Sequence, residues 1–443
     1  YDSTTDTVSE ADTIQLAETF ADAMNGIAIN LTSAGSGASH SIENRAGTEA
    51  NAARADSGDE DTEDALTDVT GSPTSVTSGT SAVIDGGSTI VANSVQVVAR
   101  DSYTLFALAG GVGVGVAGVG IGVVVIDSTA DISAVIASGV TIRSRGSGGA
   151  LSVIAEHDSN LDAYGVAGAA GVAALGAAVS VVHEGADTRA LLGAQVVGAS
   201  FTTGTGATVA GETVGDAFGD VLVSSDANVV LGLATGSAAI GVAGVGAAIT
   251  IATVDGVADA VIGNGTTIGT APDKVASVAV IAKNVIDVVP ARDAASDGDP
   301  MGIAIGGGGI AIAAGVTEVT IAPGGVLYGA LALIGDDAHI YSSGDVSVSA
   351  EGKWTTEVDT DGAAVGVVAV GVVISRADVR GTVLARIGDS VVIDANSVAV
   401  TAIGEAIGFA ESLAAGGGIL SGRGSVADAE VDATATADVG SAT

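Results

Sequence analysis

Residues 106–126 read FALAGGVGVGVAGVGIGVVVI and carry no charge. Val112, Val114 and Val116 alternate with Gly113 and Gly115, which is the period of a β-strand. At Ala117-Gly118 the phase slips by one residue, and Val119, Ile121, Val123 and Val125 continue the alternation on odd numbers. A one-residue slip turns every side chain to the opposite face, so it marks a bulge or a tight turn between two strands. The slip recurs. Ile240 and Val242 give way to Val245, Ala247, Ile249 and Ile251. Ile303 and Ile305 give way to Ile310 and Ile312 across Gly306–Gly309, and Val365 and Val367 to Val368, Val370, Val372 and Ile374. A fainter copy spans Val166 to Val182. The chain is a repeat protein.

Two further marks set the period. A short strand close to V-x-V-x-A begins at Val95, Leu151, Val221, Val278, Val346 and Val398, spaced 56, 70, 57, 68 and 52 residues apart. Before it comes a small-residue strand, a Gly turn and a β-branched pair, as in Ala134–Ile142, Ala260–Ile268 and Ala385–Ile393. Asn264-Gly265 is a tight-turn signal within this mark. The unit is therefore about 60 residues with polar loop insertions. The expected fold is all-β, a parallel β-solenoid (β-helix) over residues 82–443, with about five units and the last one cut short. Stacked coils of roughly 20 residues would make it a rod on the order of 80 Å long. Residues 1–81 are expected to form a short, partly helical N-terminal segment with an acidic loop. Ile14, Leu16, Ala17, Phe20 and Met24 have helical spacing ahead of Gly26.

Composition narrows the function. Of 443 residues 67 are Gly, and 47% are hydrophobic but only 2% aromatic, so the core must be Val, Ile, Leu and Ala in thin regular layers. The net charge of -38 repels nucleic acid and anionic lipid. The absence of Cys removes disulfide and zinc-thiolate chemistry and fits an exported bacterial protein. The start at Tyr1, without Met or signal peptide, reads as a processed protein or a piece of a longer one. Period-two Gly/Val tracts without flanking basic residues disfavour a helical membrane span. The scarcity of aromatics argues against a transmembrane barrel.

The Gly113–Gly120 tract alternating with segments such as Asp345–Ala350 resembles the β-strand-repeat surface proteins of bacteria, especially leukotoxin-like filamentous adhesins. The resemblance covers about residues 82–443. It implies an exported, elongated solenoid at the cell surface or outside the cell, with an adhesive or structural role and no catalytic residues to carry over. The expected function is a self-associating filament protein, joined end to end or laterally, with a host or surface glycan as a further partner. The alternatives are a passive stalk of a larger adhesin and a β-helix polysaccharide-active enzyme. An enzyme of that kind needs clustered carboxylates or bases and aromatics that stack on sugars, whereas this chain has one Trp, Trp354, and scattered acids.

No other catalytic pattern emerges. His40, His157, His183 and His339 show no H-x-x-x-H spacing and no neighbouring carboxylate pattern. The one cofactor the sequence suggests is calcium. Asp56, Asp59 and Asp61, and Asp293, Asp297 and Asp299, lie in oxygen-rich loops with Gly. Their spacing matches neither an EF-hand nor a calcium β-roll. If Val faces inward along the tracts and Gly outward, the outward face is flat, uncharged and suited to lateral packing; the alternative is that both faces are buried within one chain.

Overall fold

A computed structural model of the chain describes residues 78–197, 200–290, 301–323 and 328–441. The chain divides into two units, Tyr1–Val76 and Thr77–Thr443, and the description concerns the second. The expected N-terminal helix and Asp56, Asp59, Asp61, Asp293, Asp297 and Asp299 all lie outside the described residues.

The described chain is all-β with long parallel sheets and no helix, as a parallel β-solenoid requires. A coil runs from one V-x-V-x-A strand to the next. The strands Val95–Ile136 and Leu151–Leu192 carry the first two coils, and Asp220–Val254 with Val257–Ile262 carries the third. Ser277–Pro290, Gly302–Ile321 and Ala330–Ile334 form the fourth, Asp345–Ile387 the fifth, and Ser397–Gly417 with Leu420–Val439 the sixth. The six motif starts stack in register: Val95 on Leu151, Leu151 on Val221, Val221 on Val278, Val278 on Val346 and Val346 on Val398. The second mark stacks equally, through Ala134, Ala190, Ala260, Ala332 and Ala385. A second parallel sheet of short strands closes the base, with Ile90, Ile142, Val209, Ile268, Ile340 and Ile393 in one file.

One coil is therefore the whole repeat, not about 20 residues. Six coils at a rise of about 4.8 Å extend about 30 Å along the axis, while one 20-residue arm spans about 65 Å across it. The array is a broad blade, and the long rod expected from the sequence is corrected accordingly. The period-two pattern fixed strand character but could not say how many strands close one turn.

The phase slip is a tight turn. Each long strand folds back at its Gly/Val tract, and both arms pair with neighbouring coils instead of with each other. The two arms face one another through side chains, and at the tip there is almost no room for any. A Cβ on Gly111 would lie 2.1 Å from the Ile121 carbonyl oxygen, and one on Gly113 2.0 Å from that of Val119. Gly is thus inward and Val outward, the reverse of the expected facing. The close approach that Gly permits is between two arms of the same chain.

The arms diverge away from the tip, and inward side chains grow with the gap. Along the first coil they run Gly113, Gly111, Ala109, Ala107, Leu105 and Tyr103, against Gly118, Gly120, Gly122, Val124, Ile126 and Ser128 on the return arm. Alanines fill the layer behind the tip in the later coils, including Ala169, Ala174, Ala239, Ala304, Ala311 and Ala364. A hydroxyl layer follows, with Thr235 Oγ1 donating to Ser180 Oγ at 2.9 Å and Ser375 Oγ to Thr360 Oγ1 at 2.8 Å. The main core of Val, Leu and Ile lies between the wide part of the wedge and the base sheet.

The turn between the return arm and the base sheet is tied along the axis by polar side chains. Asn264 Oδ1 accepts the Asp336 N–H at 2.9 Å, Asp336 Oδ1 the Asp389 N–H at 2.8 Å, and Asp389 Oδ1 the Ser441 N–H at 2.8 Å. Each turn satisfies a donor on the next coil, which holds the coils in register.

Candidate functional site: an apolar blade with buried polar clusters

The outward side chains of the arms make the most unusual surface of the molecule. At the tip, Val116, Val172, Val242, Val367 and Ile419 form a file interrupted only by Gly309, and Val116 and Ile419 are 80% and 90% exposed. On the outgoing arm, Val112 and Val114 are also about four-fifths exposed. The rows there are broken by Gly168, Gly236 and Gly307, and acids enter at Asp359 and Asp361. Burial pushes the Asp359 carboxyl up to about 6, with the neighbouring acids Asp361 and Glu411 adding to the shift.

The return arm is more regular. Val119, Leu175, Val245, Ile312 and Val370 stack in one ladder, and Val123, Val179, Ile249, Val316, Ile374 and Val426 in another. Between them runs a shallower file of Ile121, Ala177, Ala247, Ala314 and Val372. Val, Ile and Leu side chains of neighbouring coils shield one another, which leaves most of the ladder residues half-buried. No charged residue enters these files; charge begins only at Glu318, Arg376 and Asp428, further from the tip.

Inside the wedge the array holds titratable groups that the sequence did not bring together. The Tyr103 hydroxyl donates to Glu184 at 2.8 Å and is also bonded to Ser128. His157 Nε2 lies 3.4 Å from Glu184 Oε1, and His157 Nδ1 3.5 Å from Asp101 Oδ2. The His157 and Glu184 side chains are fully buried. Burial pushes the Tyr103 phenol above its ordinary range, and the charge of Glu184 adds to the shift. Nearer the base, on the outward-facing files of the return arm, the buried Arg189 meets Asp187 at 2.7 Å, Asp259 at 3.4 Å and Asp131 at 3.5 Å, one from its own coil and one from each neighbour. Burial raises Asp259 to about 7 against the opposing pull of Arg189.

The third cluster is a ladder on the outer surface. His183 Nδ1 lies 2.9 Å from Asp127 and Nε2 3.3 Å from Asp255. The hydrogen bond to Asp255, helped by Asp127, raises the imidazole to about 9, against desolvation. A raised histidine stabilises the fold below its unfolded pKa of about 6.5 and loses that contribution as pH climbs through 9. The side chain is 38% exposed, so solvent screening holds the effect to about 1 kcal/mol. His183→Asn should therefore be less stable than the parent at pH 6 and equal to it above pH 9, as read by denaturant melts across that range. Equal stability at every pH would refute the ladder.

These histidines correct the expectation that no carboxylate pattern surrounds them. Their partners are 27 to 72 residues away in sequence and become neighbours only across the arch or through axial stacking. Overlaying the repeats in register pairs Asp127 with His183, which is the signal that was available. Trp354 is fully buried and has no surface on which a sugar could stack. Among the described residues, no group of three or more His, Asp and Glu is arranged to hold a metal ion, and no helix is long and apolar enough to cross a membrane. No protein-family model, curated protein or solved structure matches this chain.

Proposed function

We propose that the chain is a structural, adhesive repeat protein of an extracellular or cell-surface bacterial filament, and that it associates with itself. The observation that carries this reading is the uncharged Val/Ile surface of the blade on a chain of net charge -38. Isolated apolar side chains are ordinary on a surface, but contiguous ladders of them mark an interaction site. The resemblance to filamentous adhesins supports the same reading. A sugar-active enzyme is disfavoured, since Trp354 is enclosed and the buried acids are engaged by Tyr103, His157 and Arg189.

Electron microscopy of the purified full chain, with and without a calcium chelator, tests the proposal. Ordered filaments or laterally paired blades are the expected result. Monodisperse single particles at all concentrations would overturn self-association. Loss of order on chelation would assign calcium a structural part.

A further inference from the structure

Resting on that reading, we infer that the return-arm face is an isologous interface: two copies of this chain pack back to back through the ladders headed by Val119 and Val123. The relief of the face favours this occupant. Two ridges of Val, Ile and Leu flank a shallow file in which Ala177, Ala247 and Ala314 occupy the second to fourth coils; the ridge headed by Val119 and the file end on Gly422 and Gly424 in the sixth. A ridge of a second copy fits that file. Because both copies have the same coil rise, the fit is kept at every coil, as in a dry sheet-to-sheet zipper.

Area and charge agree. The three files described and the uncharged file of Ala117, Ala173, Ala243, Ile310, Val368 and Leu420 beside the tip cover about 27 Å along the strands. Across five or six coils this gives roughly 650 Å² per copy and about 1,300 Å² for the pair. That reaches the range of specific interfaces. Two chains of charge -38 repel through any acidic surface, and this face admits close approach without placing a charge in the contact. The outgoing-arm face is the poorer candidate, because its glycine gaps break the ridges and Asp361 enters the row. A neutral lipid surface needs no such ridge-and-groove relief, so it stands as an outcome of the test.

The experiment uses sedimentation velocity on the full chain, as parent and two variants. Ile249→Lys together with Ile312→Lys charges the return-arm face, and Val116→Lys together with Val242→Lys charges the tip. Circular dichroism melts establish that each variant is folded. The chain has no cysteine, so Ala247→Cys supplies a single site for a short bismaleimide. The expected result is a dimer that tightens as salt screens the acidic surfaces. The face pair should weaken it by at least about tenfold and the tip pair should leave it intact. Ala247→Cys should cross-link to a covalent dimer.

Filaments that persist in the face variant and fail in the tip variant would overturn the inference and leave the filament reading standing. A parent that stays monomeric and does not form filaments would overturn both. Flotation of the parent, but not the face variant, with phosphatidylcholine vesicles would make the face a lipid surface and overturn the second copy as its occupant.

Discussion

Gly246→Val is expected to destabilise the array by about 3 kcal/mol or more. Gly246 faces inward on the return arm of the third coil. A Cβ there would lie 2.2 Å from the carbonyl oxygen of Ile305, 2.8 Å from its carbon and 3.1 Å from its nitrogen. All three are backbone atoms of a strand paired on both sides, so nothing flexible is available to move. The third coil is also internal, with coils stacked above and below it, which prevents relief by splaying at an open end. Gly236→Val is the matched control: nothing lies within 4 Å of a Cβ at Gly236, and a β-branched residue suits a strand better than Gly. That variant should melt at or above the parent temperature. Because stacked repeats open by parts, hydrogen exchange in the third and fourth coils should accompany the melts. A Gly246→Val protein that melts like the parent would remove the closed arch from the description.

The same glycine shows what could be read from sequence and what could not. Repeat length and strand character were legible, because the V-x-V-x-A starts and the Ala-rich marks fall in single axial files. The slip at Ala117-Gly118 was legible as a reversal of facing. Which face turned inward was not, since a period of two gives two faces and no preference between them. The usual rule, apolar side chains inside, points the wrong way here. It fails because the arms meet at the tip with no volume for a side chain, and Val116 is left outside by geometry. The gradient from Gly113 and Gly111 through Ala109 and Ala107 to Leu105 and Tyr103 was in the sequence all along. It reads as a wedge only once Gly is taken as the inward residue. The buried clusters were less accessible still. Tyr103 and Glu184 are 81 positions apart, and their meeting needs both the axial register and the fold of the arch.

The wedge also explains the placement of Trp354, the largest fully buried side chain, and it sets the second expectation. Trp354→Ala should cost about 3–5 kcal/mol, because it empties the widest side chain of the interior. Trp354 faces inward in the fifth coil, well back from the tip, in the file of Tyr103, Ser159, Val229 and Ile286. Its ring has room because three glycines stand around it. A Cβ would approach the indole to 2.6 Å from Gly352, 2.9 Å from Gly329 and 2.3 Å from Gly381. Gly381→Ala should accordingly be destabilising by about 1–3 kcal/mol on its own. Combined with Trp354→Phe it should cost less than the two changes added, since the smaller ring vacates the space the methyl needs. Trp354 is the only tryptophan of the chain, so its fluorescence reports on this site alone. The indole is fully buried and its Nε1 has no hydrogen-bond acceptor. Emission should be blue, resistant to acrylamide, and shifted to the red by Gly381→Ala. Emission typical of indole in water, quenched at the rate of a free side chain, would show that the fifth coil does not close on its tryptophan.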